Sequence, residues 1–150
     1  MALKADRQID AVEIGYFINE VAEKGLIVVP LTAGSGIALD SAMNVATVAA
    51  SASGNYPLGM LMNDFVSIDV TKQYLNYHKD QSILGSKATI MTKGWAVTNK
   101  VTGTPAGNQT AVLTASGYVT TGTVSATTPA VGRFRSKVNA DGFVRLYVDL

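Results

Sequence analysis

The tightest constraint on how this chain folds is the spacing of its apolar runs after residue 87. Residues 88–92 (Ala-Thr-Ile-Met-Thr), 94–98 (Gly-Trp-Ala-Val-Thr) and 109–113 (Gln-Thr-Ala-Val-Leu) are too short for stable helices, and they stop at Lys93-Gly94, Gly103-Thr-Pro105 and Ser116-Gly117. Short strands punctuated by glycine-rich turns predict a mainly β fold, a small antiparallel barrel or sandwich. A hairpin closes the chain, with arms at 132–138 and 143–150 joined by Asn139-Ala-Asp-Gly142. Its Asp-Gly pair supplies the left-handed positions of a tight turn. In the second arm Val144, Leu146, Val148 and Leu150 share one face, expected to be core. Phe143, Arg145, Tyr147 and Asp149 share the other, expected to be wet or to meet a partner.

Upstream the pattern is sparser. Residues 26–31 read as a strand near a sheet edge, because Pro30 removes a ladder donor. A short strand is expected at 45–49 within an otherwise loop-like, small-residue stretch, and Asn55-Tyr-Pro-Leu-Gly59 reads as a turn. Met60 and Met62, then Phe65, Val66, Ile68 and Val70, predict strands on either side of Asn63-Asp64. Residues 1–25 are expected to form an N-terminal arm before a single β domain at 26–150. That arm is either helical or extended around Ile14-Gly-Tyr-Phe-Ile18, with the extended form favoured because Gly15 costs a helix about 1 kcal/mol. One helical turn is expected at 19–24, ended by Gly25.

Charge separates these zones. Eight of the first 24 residues are charged, whereas 25–63 carries only Asp40 and 101–132 carries nothing charged, with nine Thr and five Gly in that stretch. Mobile tips are expected around residues 120–128. Only 15% of residues are charged, against about 25% in ordinary domains. A Thr- and Ser-rich surface of this kind suits β structure packed against other subunits, where charge is depleted at the interface core. The net charge of +1 offers no field for nucleic acid or an anionic membrane. The opening residues, with Lys4, Asp6, Arg7, Asp10 and Glu13, do not read as a secretory signal.

Candidate chemistry is thin. With no cysteine and one histidine, His78, neither thiolate chemistry nor a zinc site with several nitrogen ligands is expected, and no cofactor is implied. His78-Lys79-Asp80 is the one place where imidazole and carboxylate adjoin, but neighbours on an extended chain point apart and no Gly-x-Ser-x-Gly elbow accompanies them. Asp64 and Asp69 fall on opposite faces of a strand. Gly34-Ser-Gly36 lacks the spacing and lysine of a phosphate loop. No enzyme activity is expected. Arg133, Arg135 and Lys137 alternate opposite Phe134, Ser136 and Val138, giving three cations on one face with no aromatic on that same face, where a nucleic-acid groove would interleave them. A solvated or edge-guarding face is the plain explanation, and contact with an acidic patch of a neighbouring subunit the functional one. Trp95 is expected in the core. Ile14, Tyr16, Phe17 and Ile18 crowd four large apolar groups into five residues. They are expected to pack on a neighbouring copy or another protein, with completion of the chain's own core as the alternative.

Taken in order, several segments resemble the capsid decoration, or cement, proteins of tailed bacteriophages. They are Asp6-Arg-Gln-Ile-Asp10 with Glu13-Ile14 and Tyr16-Phe17, Pro57-Leu-Gly-Met-Leu61, Ile68-Asp69, Asn76-Tyr-His-Lys-Asp80, Thr92-Lys-Gly-Trp-Ala-Val-Thr-Asn99, and Val131-Gly-Arg-Phe134 with Asp141-Gly-Phe143. The match spans nearly the whole chain and is weakest over 101–128. The resemblance implies a structural protein on the outer face of a virion, made in the host cytoplasm. It also implies binding to the major capsid protein, often as a homotrimer. A carbohydrate- or receptor-binding module of a tail or spike, with Trp95 and tyrosines as stacking platforms, is the alternative.

Overall fold

Runs such as Ile27-Val-Val29 and Gly59-Met-Leu61, apolar at consecutive positions, suit strands covered on both faces rather than on one. The computed structural model, which describes residues 11–31, 44–62, 81–82, 84–85 and 87–150, places them in just such positions. Eleven strands occur among the described residues: β1 (Val12–Ile18), β2 (Ala22–Glu23), β3 (Ile27–Leu31), β4 (Val45–Val48), β5 (Gly59–Met62), β6 (Gln81–Ser82), β7 (Lys87–Thr98), β8 (Thr110–Leu113), β9 (Val119–Thr121), β10 (Ala130–Phe134) and β11 (Val144–Asp149). The fold is mainly β. The expected strand at 65–70 lies outside the described residues, as do His78-Lys79-Asp80, Asp64, Asp69 and Gly34-Ser-Gly36.

The strands β1, β4, β3, β5 and β7 form a closed ring, since β7 pairs back onto β1. All ring pairings are antiparallel except β1 with β4, a two-residue parallel seam in which Phe17 faces Val45 and Ile18 faces Ala46. The Glu20 carboxylate reinforces that seam by accepting from the Thr47 hydroxyl at 2.5 Å and the Val48 amide at 2.6 Å. From the ring, β7 leads into an antiparallel extension in the order β11, β10, β8, β9.

Two cores result. Ile18, Val28, Ala46, Leu61, Ala88 and Ile90, contributed by all five ring strands, fill the barrel with Ala22. The opposite faces of β3, β5 and β7 present Ile27, Val29, Met60 and Met91 to Leu113, Val119, Val131, Phe134, Leu146 and Val148 of the extension. This is why β3 and β5 read as unbroken apolar runs: each side of the strand has its own core.

Several expectations need correction. The two strands expected on either side of Lys93-Gly94 are one twelve-residue strand, and Lys93 marks a change of partner instead of a turn. Residues 87–93 pair with β1, and residues 93–98 pair with β11. Pro30 does not mark an outer edge, because β3 lies between β4 and β5; its recorded pairing with β5 ends at Val28, which leaves the proline beyond that ladder. No helical turn forms at 19–24. Ala22–Glu23 pairs with Gln81–Ser82 instead, and Gly25 turns the chain at φ 92°. The closing hairpin is looser than a two-residue turn, with β10 ending at Phe134. Asn139 organises its loop, its side-chain oxygen accepting from the amides of Asp141 and Phe143 at 3.0 and 2.8 Å. Gly132 is required where β10 crosses β11, since a Cβ there would overlap the Tyr147 carbonyl. In the 120–128 stretch the Ser125 and Thr128 hydroxyls lie 2.8 Å apart, and Thr128 donates to the Thr123 carbonyl at 2.7 Å.

Candidate interaction surface

The N-terminal cluster is divided by strand alternation. Ile18 is fully buried in the barrel, and Ile14 and Tyr16, four and two residues earlier on the same face, pack half-buried against the same cluster. Phe17 lies on the other side of β1 and is half-buried. The segment from Val12 to Ile18 is thus a ring strand and not an arm standing off the domain. Ile14, Tyr16 and Ile18 serve this chain's own interior, and Ile18 is closed to any partner. The physical reason is the second edge of β7, which would stay unpaired over residues 87–93 without β1.

The outward face of β7, β11 and β10 is different. Register pairs Tyr147 with Trp95 across β11 and β7, and with Arg133 across β11 and β10. The Trp95 and Tyr147 rings lie 5.2 Å apart, tilted by 59°, a favoured arrangement for aromatic pairs. Arg135 follows β10 directly, and its backbone N–H donates to the Arg145 carbonyl at 2.8 Å, which holds it in line with the hairpin. Its guanidinium lies over both rings, 5.7 Å from the Trp95 centroid and 5.8 Å from that of Tyr147, within cation–π range.

Trp95 is 38% exposed, so it is not a core residue, contrary to expectation. Aromatics do interleave with the cations after all. They come from neighbouring strands, which alternation along one strand cannot reveal; the legible signal was that Trp95 and Tyr147 each fall in the outward phase of their own strands. Lys137 lies beyond β10 in the hairpin loop, exposed. At the far end of the same face Lys93 and Asp149 form an exposed ion pair at 3.4 Å. Arg133 and Arg135, by contrast, have no carboxylate partner among the described residues.

Beneath the extension, Lys100 joins two parts of the fold. Its ammonium bonds the Glu23 carboxylate at 2.5 Å and lies 5.7 Å from the Tyr118 ring centroid. Burial pulls the Lys100 pKa down, but the hydrogen bond and charge of Glu23, with help from Tyr118, outweigh it and hold the amine above its ordinary range. Among the described residues this pair is structural: it ties β2 to the segment after β7.

No protein-family model and no curated protein matches this sequence.

Proposed function

We propose that this protein works by contact, as a structural protein that binds the outer surface of a tailed-phage capsid and bridges neighbouring major capsid protein subunits. The observation that carries the reading is the outward face of β7, β11 and β10. A chain with only 15% charged residues sets exposed arginines and an exposed tryptophan side by side on a three-strand platform, which is the composition favoured at the energetic centres of interfaces. The ordered resemblance to capsid decoration proteins supplies the partner. On a shell, many copies of a modest contact sum to firm attachment, and self-association into trimers would multiply it further.

The test is to mix the purified protein with expanded, undecorated heads and image the product. Regular surface density at local symmetry axes is the expected result; bare heads at saturating protein would overturn the reading.

A second reading, a carbohydrate-binding module, is favoured by Trp95 beside Tyr147, since exposed aromatics serve as sugar platforms. Binding to immobilised neutral glycans without any capsid would establish it.

A further inference from the structure

We infer that the Arg133–Arg135 face docks onto an acidic protein surface, with Arg135 as a guanidinium fork held ready by Trp95 and Tyr147. The inference takes the partner's identity from the capsid reading, whereas its chemistry stands on the face alone.

Three observations combine. First, Arg133 and Arg135 are exposed and carry no carboxylate partner among the described residues. A chain this sparing of charge sets two cations next to each other with no ion-pair partner among the described residues. Second, Arg135 lies over two rings. A guanidinium held near ring faces by cation–π attraction still has N–H groups on its solvent side, and these can grip a carboxylate. That attraction also restricts the side chain beforehand, which lowers the ordering cost of binding. Third, the platform is rigid: Trp95 and Tyr147 are held in register on β7 and β11, while Leu146, Val148 and Ala96 on their inner faces are buried.

The same geometry selects among anions. Nucleobases and sugar rings bind by stacking on an open aromatic face, and here a guanidinium already stands 5.7 and 5.8 Å from the two ring centroids and would have to move aside. A carboxylate needs no such face. It approaches the outer edge of Arg135, with Arg133 near enough to engage a second acidic group. The fitting occupant is therefore a protein surface that displays neighbouring Asp or Glu side chains.

Trp95 is the chain's single tryptophan, so its fluorescence reports from inside the proposed site. The titrants are a glutamate decapeptide, oligothymidylate of equal length and a hyaluronate oligosaccharide. The glutamate peptide is expected to change Trp95 emission saturably, more weakly as salt is added, and to bind more tightly than the other two. Arg135→Ala is expected to weaken that binding about tenfold, as loss of a charge-assisted pair does. Arg135→Lys should weaken it as well, because charge remains but the planar fork is lost. Lys87→Ala, at the opposite end of β7, should leave it unchanged. An unaltered response in Arg135→Ala, no saturable response in the wild type, or tighter binding of oligothymidylate or hyaluronate would each overturn the inference. Heads separate this inference from the capsid reading. If an Arg133→Ala/Arg135→Ala variant that stays folded by circular dichroism decorates heads as well as the wild type, the inference fails and the capsid reading stands. If the wild type binds the glutamate peptide selectively but leaves heads bare, the capsid reading fails and the docking chemistry stands.

Discussion

On the inner side of β7, β11 and β10, Ala96, Leu146, Val148, Val131 and Phe134 are shut away from solvent. On the outer side of the same strands, Trp95, Tyr147, Arg133 and Arg135 form a row that the fold does not need for closure. The inner side is built of residues that gain stability by leaving water, roughly 1.5–3 kcal/mol for each large apolar side chain. The outer side keeps Trp95 38% exposed and leaves two arginines with no carboxylate partner among the described residues, an arrangement that adds little to folding. The contrast separates residues that hold the fold together from residues that the proposed contact would use.

The bluntest way to break this division is to remove β1. Deleting residues 1–18 takes away a ring strand and the buried Ile18, and uncovers β7 over residues 87–93. The truncated chain is expected to lose its cooperative thermal transition by circular dichroism. A truncation that melts like the parent would return the segment to the role of a separate arm. Next in size, Phe134→Ala empties the largest fully buried side chain of the second core and is expected to cost about 3–5 kcal/mol, with Leu146→Ala at about 2–5 kcal/mol, in urea unfolding.

A smaller effect is expected at Lys100. Its folded pKa is raised, so its contribution to stability is fully present below the ordinary lysine value of about 10.4. That contribution fades as the pH rises through the higher folded value. Lys100→Met should lower stability near neutral pH by about 1 kcal/mol or less and flatten that part of the alkaline decline, as read from urea midpoints between neutral and strongly alkaline pH. The smallest effect belongs to the outer face: Arg135→Ala should change stability by no more than about 0.5 kcal/mol. A loss comparable to that of Phe134→Ala would make the outer face part of the fold's foundation and erase the contrast.

Much of this division was legible in the chain because strand alternation has a fixed period. Alternation assigns Val144, Leu146 and Val148 to the core, and they are buried, while Leu150, one step further, is 42% exposed because β11 ends at Asp149. What alternation cannot give is which strands become neighbours. The Arg135, Trp95 and Tyr147 cluster joins residues from three strands, so reading β10 alone found cations without aromatics. Ring closure was hidden for the same reason: the parallel seam of β1 with β4 is two residues long, and its stabilising acceptor, Glu20, carries no local sequence signature. Lys93-Gly94 looked like a turn because glycine commonly marks one. Here it sits where β7 passes from β1 to β11, and the strand runs on.

The central claim is that the outer face of β7, β11 and β10 is held for a partner. It is tested most directly by a cryo-electron microscopy reconstruction of decorated heads that resolves side chains at the contact. The account predicts Trp95, Tyr147, Arg133 and Arg135 buried against the coat, with acidic coat residues at the edge of the Arg135 guanidinium. A reconstruction in which that face points into solvent while the protein grips the shell through another surface would contradict it.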